Sequence, residues 1–169
     1  MCGILALLSH QSNLSILHSI QLLKRLEYRG YDSAGIMYLD HSNCLGTNRN
    51  KIQLHKKKGK INCLESNLTN LGNGSMEIGL STNFLMAHTR WATHGEPSDK
   101  NSHPHVSMNG KFYIVHNGIV ENYLILKDIL LEAGYEFYSQ TDTEVLVNFI
   151  EYISNLNPKN SLEKNISIA

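Results

Sequence analysis

Prolines number only three and tryptophan one in 169 residues, and charged side chains make up 18%, below the roughly 25% of an average soluble protein. Fifteen Lys+Arg balance fifteen Asp+Glu, so the formal net charge is zero. That removes the bulk positive field that nucleic-acid or anionic-membrane binding normally uses. No apolar run approaches the ~18 residues of a membrane span. The opening MCGILALLSH has no basic leader and too short an apolar stretch for a secretory signal. Three cysteines, Cys2, Cys44 and Cys63, are too few and too irregularly spaced for a disulfide framework. Linkers rich in Pro or Gly/Ser are missing, and no repeat recurs. The expectation is one soluble intracellular domain, with neither nucleic acid nor membrane as a partner.

Hydrophobic residues make up 41% of the chain, enough for a core. Cys2 to Leu8 is a nearly continuous apolar run, as expected for a strand buried on both faces. Ile16, Leu17, Ile20, Leu23 and Leu26 fall at helical spacing within 13–29, with Gly30 as a stop. Ser33 to Leu39, Phe84 to Thr89 and Lys111 to His116 read as strands, and a weak helix is expected near 60–70. Glu121 to Ala133 is periodic and ends at Gly134. Thr141-Asp-Thr-Glu144 has the form of a capping box and opens a last helix through Val145, Leu146, Phe149, Ile150 and Ile153. Twelve of the eighteen asparagines fall in 43–50, 62–83 and 155–165, which read as loop-rich. Strands mixed with helices predict an α/β or α+β protein without fixing its topology.

Cys2 is the most suggestive position. Removal of the initiator Met would place a thiol and a free α-amine on one residue. An amine titrating at about pH 8 suits the role of general base for that nucleophile, so no His partner is required. The bland alternative is a small hydrophobe at the start of a strand. The segment HTRWATHGEPSDKNSHPH, residues 88–105, is the densest in unusual residues. An Arg90 fork there could grip a carboxylate; a plain surface loop with an amphipathic Trp91 is the alternative. Five histidines between 88 and 116 suggest a metal, but their spacing lacks HExxH and paired CxxC patterns and argues against zinc. Asn117-Gly118 after the FYIV strand could aim an amide and a backbone N–H at one point, as an oxyanion hole requires, or could be an ordinary turn. Asp142 is either a helix-capping acid or the partner of a substrate ammonium. The run Lys56-Lys57-Lys58 reads as a solvated patch.

Taken together, MCGI, RLEYRGYDSAGI at 25–36, HTRWATHGEPSDKNSHPH at 88–105, VHNGIVENY at 115–123 and QTDTEVL at 140–146 resemble one family in order. It is the N-terminal glutaminase domain of the glutamine–fructose-6-phosphate aminotransferases, class II glutamine amidotransferases of the N-terminal-nucleophile hydrolase superfamily. The resemblance implies an α+β fold, the αββα four-layer sandwich. It implies hydrolysis of L-glutamine through a Cys2 thioester, with Asn117 and Gly118 at the oxyanion. Arg90 would hold the substrate carboxylate and Asp142 its ammonium, while Thr93 and His94 line the pocket. The loop from Arg90 to about Ser98 would act as a lid. Trp91 corresponds to a residue gating ammonia passage, and Arg29 lies where a cation could support the thiolate. No cofactor or metal is implied, and the expected location is cytoplasmic.

Length is where the chain departs from the pattern. The family's domain is longer and is followed by two sugar-isomerase domains, so residues 1–169 are expected to be a C-terminally truncated glutaminase domain without them. Implied partners are L-glutamine and, on another chain, a sugar-isomerase domain or a full-length synthase; an oligomer stays open. The alternatives are a truncated, inactive fragment or a non-catalytic module that associates with a full-length synthase.

Overall fold

A computed structural model describes residues 2–11, 13–40, 51–71, 81–93 and 95–169. In chain order the elements are β1 (Gly3–Leu8), β2 (Leu14–Ser15), α1 (Ile16–Lys24), a 3-10 turn (Glu27–Arg29), β3 (Ser33–Asp40), β4 (Lys51–Lys58), α2 (Ile61–Leu71) and β5 (Ser81–Thr82). They continue with β6 (Phe84–Arg90), β7 (His105–Val106), β8 (Tyr113–Ile114), α3 (Tyr123–Glu132), α4 (Asp142–Leu156) and α5 (Leu162–Ile168). The architecture is mixed α and β, built on an antiparallel sheet of order β1-β6-β3-β4.

Alternation along the two central strands gives this sheet two different faces. Ala34, Ile36 and Tyr38 of β3 and Leu85 and Ala87 of β6 turn to the face covered by α1 and α2, where Ile16, Ile20, Leu23, Ile61 and Leu64 complete a buried core. Ile16, Ile20 and Leu23 sit at i, i+4 and i+7, which forms one helical stripe. Ser15 starts α1 by accepting the His18 N–H on its side chain. The helix ends at Lys24, and the chain passes through the 3-10 turn before Gly30, so the single helix expected over 13–29 is broken in two.

The other face carries Ser33, Gly35, His88 and Arg90, all buried or, for Gly35, sealed by a neighbour. A Cβ at Gly35 would collide with the His103 carbonyl, so the segment before β7 lies directly on the sheet backbone. Next outward come β7 and β8, paired antiparallel, and α4 packs on both. Helix α3 packs on α4 through Leu126, Leu130, Tyr135 and Val145.

Several expectations from sequence are corrected. Strand β1 is buried on one face only: Ile4 is 41% and Leu8 80% exposed, because β1 is an edge of the sheet and its second face is uncovered there. The strand expected over Lys111–His116 shrinks to Tyr113–Ile114. Lys56 is not part of a solvated patch. It lies on β4 opposite Gly35, its Nζ donates to the Lys100 carbonyl at 3.2 Å, and burial pushes its pKa down to about 8. Within the asparagine-rich stretches, α2 and α5 are regular helices; residues 41–50, Cys44 among them, and 72–80 lie outside the described residues. The capping box is half formed. Thr141 accepts the Glu144 N–H, but the Glu144 carboxylate turns to the Tyr138 and Ser139 N–H groups instead of closing on Thr141.

Candidate active site

Residue Cys2 precedes β1 by one position, and β1 pairs with β6 so that Gly3 faces Thr89. The register therefore delivers Cys2 to the end of β6, where Arg90 and Trp91 leave the sheet. The Gly3 N–H donates to Thr89 Oγ1 at 3.0 Å, which fixes this corner. The Trp91 N–H in turn donates to the Cys2 sulfur at 3.1 Å. Behind it, a Cβ at Gly30 would lie 2.7 Å from the Arg90 carbonyl carbon and 2.8 Å from Trp91 N, so only glycine fits against that peptide. Asp32 adds a further tie, accepting the Ala92 N–H at 2.9 Å.

A cavity of about 360 Å³ opens beside the sulfur. Of the residues expected from sequence, Cys2, Arg29, Arg90, Trp91, Thr93, Asn117, Gly118 and Asp142 all line it. His94 lies outside the described residues. The lining residues that sequence reasoning did not single out for a role are His103, His116, Ile119, Thr141 and Thr143. Adjacency to the HPH, HNG and TDT motifs was the signal that could have found them.

Each charged wall is held by the fold. Arg90 is 4% exposed, and its guanidinium donates to the Gly95 carbonyl at 3.1 Å and the Glu96 carbonyl at 3.5 Å. Its charge acts on Cys2, Asp32 and Asp142 together. Asp142, 5% exposed, opens α4 and accepts the Val120 N–H at 2.8 Å. Asn101 braces the loop over the cavity, donating to the Glu96 carbonyl and the Gln140 side chain while accepting the Gln140 N–H. Arg29 sits at the rim with its guanidinium on Tyr28, 5.3 Å above the ring, and Nε donating to the Tyr28 hydroxyl. Trp91 is 44% exposed and meets Tyr31 edge to face.

The floor is a histidine cluster. His88 stacks on His103 at 4.3 Å and 15°, His103 meets His105 edge to face, and His105 Nε2 pairs with Thr141 Oγ1 at 3.0 Å. Burial pushes the His88 pKa down to about 4 and takes His103 and His105 well below the ordinary imidazole value. These rings are neutral packing and hydrogen-bonding groups at pH 7. Among the described residues, no group of three or more His, Cys, Asp or Glu is arranged to hold a metal, and no helix is long and apolar enough to cross a membrane. Cys2 and Cys63 are free thiols.

The thiol just before β1, the buried Arg90 cation and the buried Asp142 anion thus face one cavity. A family model described as "Glutamine amidotransferase domain" matches residues 51–156, and the chain belongs to that family. It is 48% identical over 156 residues to a glutamine–fructose-6-phosphate aminotransferase of Caldanaerobacter subterraneus, covering 92% of this chain and 23% of that protein. It is 44% identical over 167 residues to the Clostridium acetobutylicum protein of the same name, covering 99% of this chain and 25% of the relative. The Rattus norvegicus relative, isoform 1, is 46% identical over 160 residues, 90% of this chain and 23% of the relative. The chain thus spans about a quarter of the length of the curated relatives it matches.

Proposed function

We propose that this chain is a glutaminase unit that hydrolyses L-glutamine to glutamate and ammonia through a thioester on Cys2. The observation that carries the reading is the single cavity in which Cys2, Arg90 and Asp142 meet. Free glutamine offers an α-carboxylate for the Arg90 cation, an α-ammonium for the Asp142 anion, and a side-chain amide for the Cys2 sulfur. In the proposed sequence, once Met1 is removed, the freed Cys2 α-amine takes the thiol proton, and sulfur attacks the amide carbon. The developing oxyanion is stabilised by the Asn117 amide and the Gly118 N–H, an effect typically worth about 2.7–4 kcal/mol per donor. Collapse expels ammonia, protonated by the same amine, and water then cleaves the thioester to release glutamate.

Thr93 and His94 are assigned to the pocket wall, Trp91 to the exit of ammonia, and Arg29 to support of the thiolate. Residues 1–169 are read as part of one glutaminase domain. The packing of α1 and α2 on the main sheet, and of α4 on β7–β8, supports the four-layer αββα arrangement as its fold. Ammonia transfer to fructose 6-phosphate is proposed to require a sugar-isomerase domain outside these residues. The cytoplasm, where thiols stay reduced, is the compartment proposed for it. The test is glutamate release from glutamine by the purified chain beside Cys2→Ala. Release that depends on Cys2 supports the reading; a folded sample with none sinks it and leaves a non-catalytic module.

A further inference from the structure

We propose that His88 is a positioning residue for Asn117, holding its side-chain amide in the one orientation that presents an N–H to the reacting carbonyl. The inference rests on the glutaminase reading above and names a residue that does not line the cavity. His88 lies on β6, two residues before Arg90, and is 1% exposed. Its Nε2 is 2.8 Å from Asn117 Oδ1. The other end of the same amide, Nδ2, donates to the Cys2 carbonyl at 2.9 Å.

These two contacts determine the proton inventory. An amide oxygen cannot donate, so His88 must carry its proton on Nε2 and donate it to Oδ1. With Oδ1 occupied by His88 and one N–H of Nδ2 occupied by the Cys2 carbonyl, the second N–H of Nδ2 is the group left for the cavity that Asn117 lines. A flipped amide would set Oδ1 against the Cys2 carbonyl, a repulsive contact whichever tautomer the imidazole adopts. The ring itself is held fast by its stack on His103, whose Nδ1 accepts the His116 N–H at 3.3 Å. Burial keeps His88 neutral, and the contact with Asn117 Oδ1 sets which ring nitrogen carries the proton. Asn117 is thereby clamped between strand β6 and the backbone of the nucleophile, so its donor is oriented before substrate arrives.

The test uses three substitutions at this position. His88→Leu removes the donor, His88→Asn keeps polarity but is too short to reach, and His88→Gln keeps an N–H of similar reach. The expected loss of kcat for Leu and Asn is about 10- to 100-fold, less than the roughly 10²–10³-fold of deleting an oxyanion donor, with KM for glutamine within twofold. Gln should retain most of the rate. In an Asn117→Ala background, the same His88 changes should alter kcat less than about twofold, because the positioned group is gone. Alkylation of Cys2 by iodoacetamide, which forms no oxyanion, should proceed at the wild-type rate in every folded variant that keeps Asn117. An equal loss in the Asn117→Ala background, an effect on KM alone, or a Gln variant as slow as Leu overturns the proposal. Should the Leu variant fail to fold, Asn and Gln carry the comparison. The Asn117 side-chain amide resonance gives a readout independent of turnover. It should move in the Leu or Asn variant, and an unmoved resonance overturns the clamp even if the wild type shows no glutaminase activity.

Discussion

The Trp91 N–H donates to the Cys2 sulfur at 3.1 Å, and Gly30 fills the space directly behind that peptide. The Cys2 sulfur is thus set by a backbone group, and that backbone group is set by the lack of a side chain at Gly30. Gly30→Ala should push the Arg90–Trp91 peptide off its position. Overpacking of this kind typically costs about 1–3 kcal/mol, which urea unfolding would read. Iodoacetamide labelling of Cys2 should change rate in the same variant, and an unchanged rate would separate Gly30 from the sulfur.

Asp142 offers a sharper division between binding and folding. Asp142→Asn keeps an acceptor for the Val120 N–H, so stability should shift by under about 1 kcal/mol. Loss of its charge-assisted contact to a substrate ammonium, worth about 1.5–3 kcal/mol, should raise KM for glutamine roughly 10- to 100-fold. Glutaramate, which lacks the α-amine, should be turned over equally by both proteins. A glutaramate penalty equal to that for glutamine would remove Asp142 from the ammonium.

Glu144 is 4% exposed and accepts three hydrogen bonds, from Tyr138 N at 2.9 Å, Ser139 N at 2.7 Å and Ser139 Oγ at 2.6 Å. Glu144→Gln exchanges one acceptor oxygen for a donor amide facing a donor. The expected cost is about 1–3 kcal/mol in chemical denaturation. Because these contacts shape the turn that leads into Asp142, the KM for glutamine should rise in the same variant, and a variant of wild-type stability would contradict this account.

The histidine floor predicts the acid limit of the fold. His88, His103 and His105 have folded pKa values below the unfolded value of about 6.5. Below pH 6.5 the unfolded chain takes up protons that the folded chain refuses, so stability is complete above that pH and falls as pH drops. For His88, with its folded value about 4, the loss between pH 6.5 and 4 is on the order of 3 kcal/mol. Melting temperatures recorded at pH 7.5, 6 and 5 should decline in that order; a level or rising series would refute the assignment of neutral buried rings.

Helices with a strict apolar stripe and a capping residue, α1 and α4, were legible because both signals are local. So were β3 and β6, whose runs are long enough to declare themselves. What escaped was decided by position in the sheet. Nothing in GILALL says that it will form an edge, and nothing in HKKK says that its first lysine lies opposite a glycine. Cys2, Arg90 and Asp142 stood out as residue types with defined chemistry, and the cavity gathers them from three separated segments. His88 was one of five histidines between 88 and 116 until the partner of its Nε2 was visible. A hydrogen bond between residues 29 positions apart leaves no trace in spacing.

The contact of Gly35 with the His103 carbonyl sets a rule for sequence drift in this molecule. On the helix-covered face of β3, Ala34, Ile36 and Tyr38 can change by single methyl groups, and each step has a graded cost. Position 35 has no such gradient. The smallest alteration available to it is a methyl group placed where a carbonyl already sits, and lifting that carbonyl would carry His103 off the ring of His88. Variation should therefore be graded at the helix-covered positions of this strand and stop abruptly at position 35.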